Sequence, residues 1–243
     1  MKFAALIALG LVASAAQAEV IVAADYVNPT ERYAHGILGD KIEFAGLRVT
    51  LSNGAERTAI WPELVVFEDT NPRLVDLDGD GAPEVITVES HALAGARLAI
   101  WGIDATDRLV PYAHTEFYGT PFRWLAIAGA ADLDDDGFAE IAYIDRPHLA
   151  KRLMVWRYRP QGASTGTLEL VATQDGLTNH RIGERDIGGG LRRCDNGLEI
   201  ITANADWSRV IASRLVDGAI ATDDLGPHSG RASLDAALGC QDI

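Results

Sequence analysis

Two short stretches of this chain carry carboxylates at a spacing that suits a hard cation. In the first, Asp76, Asp78 and Asp80 stand at alternate positions 1, 3 and 5, Gly81 at position 6 and Glu84 at position 9. The second repeats the pattern with Asp132, Asp134, Asp136, Gly137 and Glu140. Alternation with a permissive glycine lets such a loop curl until three carboxylates converge, with the carbonyls of Ala82 and Phe138 as further oxygen ligands at position 7. Acids packed this closely repel one another unless a cation or water intervenes. A single loop of this kind is as readily a solvated Asp/Gly turn; two in register point to calcium, one ion per loop. An EF-hand would place a bidentate Glu at position 12, where Thr87 and Tyr143 stand. The expected affinity is therefore modest, on the order of 10⁻⁴–10⁻³ M. Magnesium suits the loops less, because it demands stricter octahedral geometry.

The loops belong to a longer repeat. Asp76 and Asp132 are 56 positions apart, and each is followed by matching apolar runs at 97–101 and 152–156, each ending in Trp, then at 108–112 and 167–171. Such runs, separated by Gly, Pro, Asp and Asn, read as strands. A weaker third copy begins at Asp186, where Gly188 and Gly190 replace the acids and an insertion carries Cys194. A still fainter unit at 35–51 precedes the first clear copy. Four-strand units at this period predict a small all-β propeller of about four blades, with an irregular or open propeller and a β-sandwich as alternatives. Helix is expected only near 229–239, with Ser229 or Ser233 as cap and Gly239 as stop.

The segments at 76–85 and 132–141 resemble FG-GAP or VCBS repeats, the type found in the integrin α-subunit N-terminal propeller. The resemblance covers about residues 70–215. It implies propeller blades with calcium held in the loop between the first two strands. Integrin propellers have seven blades, more than 243 residues of this period can supply.

The rest of the chain sets the context. Residues 1–18 open with Lys2, run apolar to Val12 and end Ala16-Gln17-Ala18, the order of a secretory signal with cleavage before Glu19. That leaves residues 19–243 as one domain of a periplasmic or secreted protein. Loss of residues 1–18 removes one Lys and no acid, taking the net charge from −14 to −15. Nucleic acid and anionic membranes need a basic footprint, so both are excluded as partners, and no segment of the mature chain suits membrane insertion. In an oxidising compartment Cys194 and Cys240, the only two cysteines, are expected to pair.

No nucleophile elbow, HExxH helix or P-loop is present. His35, Arg73, Arg123, Trp124, His180 and Arg181 fall at or just before the first strands of their units, which in a propeller converge on one funnel. They are therefore the candidate ligand contacts, with ordinary strand-end packing as the alternative. The reading that follows is an exported, non-catalytic calcium-binding module for a protein or glycan ligand. A hydrolase or lyase with its site in the funnel is the second reading.

Overall fold

The computed structural model describes residues 19–242, so the expected signal segment at 1–18 lies outside the described residues. The chain is all-β with one short helix. β1 (Ile21–Thr30), β2 (Glu43–Leu51), β3 (Glu56–Ile60) and β4 (Val65–Phe67) precede the first acidic loop. β5 (Arg73–Val75) enters that loop, and β6 (Glu84–His91), β7 (Gly95–Ile103) and β8 (Leu109–His114) follow it. The second copy keeps this order: β9 (Leu125–Ala131), the loop, then β10 (Glu140–Asp145), β11 (Arg152–Gly162) and β12 (Thr165–Asp175). After β13 (Leu177–Thr178), the third copy supplies β14 (Gly190–Cys194), β15 (Gly197–Asn204), β16 (Arg209–Val216) and β17 (Ala219–Pro227). The helix α1 (Arg231–Leu238) comes last.

Each copy is an antiparallel meander, and the cross-strand register repeats with it. Val85 faces Trp101 in the first copy, and Ile141 faces Trp156 in the second. β9–β12 form their own four-stranded sheet, and β14–β17 with β13 form a five-stranded one. The first copy does not stand alone. β4 pairs with β2 at Phe44–Phe67 and with β6 at Val65–His91, which draws β1–β3 into a single eight-stranded sheet. The faint unit read at 35–51 is thus an extension of the first copy's sheet, and the described strands make three sheets.

Packing explains why the central strands are apolar on both faces. Ile86, Val88, Leu98 and Ile100 join the same buried cluster as Ile141 and Leu153 of the second copy. The alternate residues Val85, Ala99 and Trp101 pack against Leu47, Val49 and Phe67 on the other side. A strand buried on both faces reads as an apolar run, as Leu98–Trp101 of β7 does, and where β6 and β7 bury charge, Glu89 and Arg97 pair with each other at 2.7 Å. The third copy sends Ile200 and Leu215 into the first cluster, while Ile201, Val210 and Ala212 lie under Leu234 and Ala237 of α1.

The helix ends as expected at Gly239, but its N-cap is Gly230, not a serine. Ser233 instead donates its hydroxyl back to the Gly230 carbonyl at 2.7 Å. Cys194 and Cys240 form the disulfide, with Cα atoms 6.0 Å apart, and so tie the second residue after α1 to the end of β14. Cys194 also pairs with Gly197 across the tight β14–β15 hairpin. The third copy has therefore replaced its acidic loop with a two-residue turn, Asp195-Asn196.

Candidate metal centres and a candidate binding pocket

The two acidic loops are wired alike. Both oxygens of the leading acid accept backbone N–H groups of its own loop: Gly79 (2.8 Å) and Gly81 (3.0 Å) for Asp76, Asp136 (3.1 Å) and Gly137 (2.9 Å) for Asp132. The acids at position 5 accept the next N–H but one, Ala82 to Asp80 at 2.7 Å and Phe138 to Asp136 at 3.0 Å. The position-9 acids reach back inside, where Glu84 accepts Leu77 N–H at 2.9 Å and Glu140 accepts Leu133 N–H at 2.8 Å. Gly81 and Gly137 adopt φ of 88° and 90°, a region other residues enter at a cost. The spacing read from sequence thus folds into one motif used twice.

Each loop brings three carboxylates together. Asp76, Asp78 and Glu84 offer oxygens within 4.8 Å of one another, as do Asp132, Asp134 and Asp136. Ligands of one calcium ion, each 2.3–2.6 Å from it, lie at most about 5 Å apart, so both clusters fit a cation of that size. Asp134 Oδ1 is buried with no hydrogen-bond partner, which a cation would satisfy. Burial, and then the charges of Asp78 and Asp80, push Glu84 up to about 7 against the Leu77 hydrogen bond. Asp78 is raised as well, by burial first and by Asp80 and Asp76.

The loops differ in one residue that the sequence reading passed over. Glu140 faces Arg157 across β10 and β11. The Arg157 guanidinium lies 2.5 Å from Glu140 Oε1, 2.6 Å from Asp134 Oδ2 and 3.0 Å from Asp136 Oδ2. Burial alone would lower this guanidinium's pKa, but its hydrogen bonds to Glu140 and Asp134 outweigh that and hold it above the usual value. The matching residue of the first copy is Gly102, and the space a side chain would need there is filled by the Tyr112 ring. The signal was present in the sequence, since each residue follows its copy's Trp: Trp101-Gly102 against Trp156-Arg157. The second loop therefore carries an internal cation, and the first does not.

The ligand candidates read from sequence divide into three groups. His35, Arg123 and Trp124 line one cavity of about 310 Å³. His180 is fully buried behind it, its ring 4.8 Å from Trp124 and its Nδ1 3.0 Å from His148 Nε2. Arg73 is paired with Asp69 at 2.6 Å, and Arg181 stacks on Trp207 at 4.2 Å; neither reaches the cavity. His35 thus lines the cavity, while His180 stands behind the lining and contacts it through His148 and Trp124.

Sequence reasoning missed the groups that define this pocket. His148 and Arg146 line it, and Phe122, Leu149 and Ile182 form an exposed apolar rim contributed by three separate loops. Behind His35 sits Glu68, fully buried, with His35 Nδ1 2.5 Å from Glu68 Oε1 and the Ser90 hydroxyl on Oε2. Burial raises Glu68, opposed by its hydrogen bonds with His35 and Ser90. Trp124 is fixed by donating its indole N–H to the Glu68 carbonyl at 2.7 Å. These partners lie 22 to 56 residues apart in sequence, so no local motif announces them.

Comparison with known proteins finds no matching family model and no matching curated protein. Among the described residues, no helix is long and apolar enough to cross a membrane.

Proposed function

We propose that this chain is an exported, calcium-stiffened repeat module of the FG-GAP/VCBS type, built as an open propeller-like stack, that binds a protein or glycan ligand. The observation that carries the reading is the repetition of one acidic loop, with the same internal hydrogen bonds, at the same place in two consecutive meanders. A solvated turn has no reason to return with its position-9 acid buried both times; a cation site does. Asp76, Asp78 and Glu84 would hold the first ion, and Asp132, Asp134 and Asp136 the second. The ion supplies neutralisation of clustered carboxylates and so fixes the strand-to-strand turns.

The first loop is the stronger site, because calcium in the second must compete with Arg157. The disulfide supports an oxidising compartment. The burial of His180 favours binding over hydrolase or lyase chemistry, which requires its groups at one reacting atom.

Thermal melts in chelator and in 10 mM calcium test the reading. With Kd of 10⁻⁴–10⁻³ M, one site adds about 1.4–2.7 kcal/mol, or roughly 3–10 °C in Tm for a chain of this size. Asp78→Ala should abolish most of the shift, and Asp134→Ala a smaller part. A melt indifferent to calcium would overturn it.

A further inference from the structure

The cavity at His35 has a chemistry of its own, independent of the acidic loops. Its floor is apolar, with Trp124, Ile37 and Pro147, and no Asp or Glu lines it although the chain as a whole is strongly acidic. Of its two arginines, Arg146 is neutralised by both oxygens of Asp145, at 2.9 and 2.8 Å. Arg123 is different. Its guanidinium donates to the carbonyls of Pro121 and Phe122, at 3.4 and 2.9 Å, and has no carboxylate partner among the described residues. A positive charge without a counter-ion thus stands at an apolar cavity.

The histidines add two ring nitrogens that a ligand can meet, one on His35 and one on His148. If Glu68 is neutral, its O–H donates to His35 Nδ1 and the ring hydrogen sits on Nε2. If Glu68 is ionised, it accepts the Nδ1–H of the ring, and a neutral ring then bears a lone pair on Nε2. In both cases His35 Nε2 is the ring atom without a partner among the described residues, and a carboxylate placed against it selects the form that carries a hydrogen there. On the other wall, the Glu184 carbonyl, 2.9 Å from His180 Nε2, can only accept, so that nitrogen is a donor. Neutral His180 then accepts at Nδ1 from His148 Nε2, at 3.0 Å. His148, held neutral by burial and by its neighbour, is left with a lone pair on Nδ1.

From this arrangement we infer that the pocket binds a small hydroxycarboxylate with an apolar body. The carboxylate meets Arg123 and His35 Nε2–H, a hydroxyl donates to His148 Nδ1, and the body rests on Trp124 within the rim of Phe122, Leu149 and Ile182. A dianion such as phosphate suits the site less, because a mostly apolar lining offers one free guanidinium and one N–H. The volume lies at the lower end for ligand pockets, which limits the ligand to a single ring or short chain. This inference goes beyond the repeat-module reading and does not depend on it, since the small acid held here is a different partner from the protein or glycan proposed there.

The test is calorimetry on the intact chain with mandelate, with 1-phenyl-1,2-ethanediol, which lacks the carboxylate, and with phenylacetate, which lacks the hydroxyl. Mandelate should bind tenfold or more tightly than the diol, the scale of one charge-assisted contact, and severalfold more tightly than phenylacetate. Arg123→Gln should lose about tenfold, and Ile182→Glu at the exposed rim should weaken the anion while sparing the diol. Mandelate failing to bind at 10 mM, or binding within twofold of the diol, overturns the assignment. Equal binding of mandelate and phenylacetate removes the hydroxyl half of it. Each titration is run with calcium and with chelator. A calcium-dependent Tm without mandelate binding refutes the pocket alone, whereas mandelate binding without any calcium effect refutes the loop reading alone.

Discussion

Arg157 offers the sharpest test of how the acidic loops work. In Arg157→Ala, the buried Glu140, the half-buried Asp134 and the exposed Asp136 lose the one guanidinium that pairs with them among the described residues. Removing one partner of a buried ion pair costs about 3–5 kcal/mol, because the remaining charge is left without compensation. At roughly 2–4 °C per kcal/mol for a chain of this size, Tm in chelator should fall by about 6–20 °C. Calcium should then recover part of the loss. A vacated loop with Kd of 10⁻⁴–10⁻³ M regains about 1.4–2.7 kcal/mol at 10 mM calcium, so roughly half the damage is reversed. The calcium-induced shift of the variant should exceed that of the parent, since two loops now respond freely instead of one. Differential scanning calorimetry in chelator, calcium and magnesium measures all of this. A variant as stable as the parent in chelator, or one whose calcium shift is no larger, refutes the claim that the guanidinium substitutes for a metal.

Two further outcomes follow from buried groups. Burial first, then Glu68, Asp40 and Asp69, push Glu43 up to about 9 from 4.5, so the folded chain keeps a proton that the unfolded chain releases. Stability from this group is full below pH 4.5 and is lost as pH rises toward 9; Glu43→Gln should therefore gain on the parent as pH goes from 5.5 to 8.5, and a constant gap in Tm would contradict it. The disulfide closes a separation of 46 residues, worth about 4 kcal/mol by loop-closure entropy. Cys194→Ser with Cys240→Ser should lower Tm and expose α1 to proteolysis before the sheets, and uniform protection of α1 by hydrogen exchange would argue otherwise.

What the sequence made legible was local. The loop chemistry is written in nine consecutive residues, and the strand runs beside it repeat closely enough for the three meanders to be read off. The single disulfide followed from having two cysteines. The helix was placed, but not its cap, because a glycine at φ 112° fills the position while Ser233 bonds backward. The pocket was legible only in part. His35, Arg123 and Trp124 were named from their places before first strands, whereas Glu68 and His148 act through contacts across more than thirty residues. Arg73 and Arg181 occupy similar places in sequence but spend their charge on Asp69 and on the Trp207 ring. Arg157 had a signal in the contrast with Gly102, and interpreting it needed the register that puts it opposite Glu140.

The way the last sheet ends has a consequence for how such a molecule varies in size. In a closed ring the final member must meet the first, so the count is fixed by geometry. Here β15 and β16 finish against eight residues of helix, held by a covalent clasp at its far end. The helix closes that edge, yet the loop at 36–40 still reaches the third copy, where Gly183 N–H donates to the Ile37 carbonyl at 2.9 Å and Arg185 meets Asp40, so one meander's width separates the first sheet from the last. Duplicating residues 125–176 would part those partners and open the cavity wall that His35 and Ile37 share with Ile182, so an added meander costs the molecule its pocket.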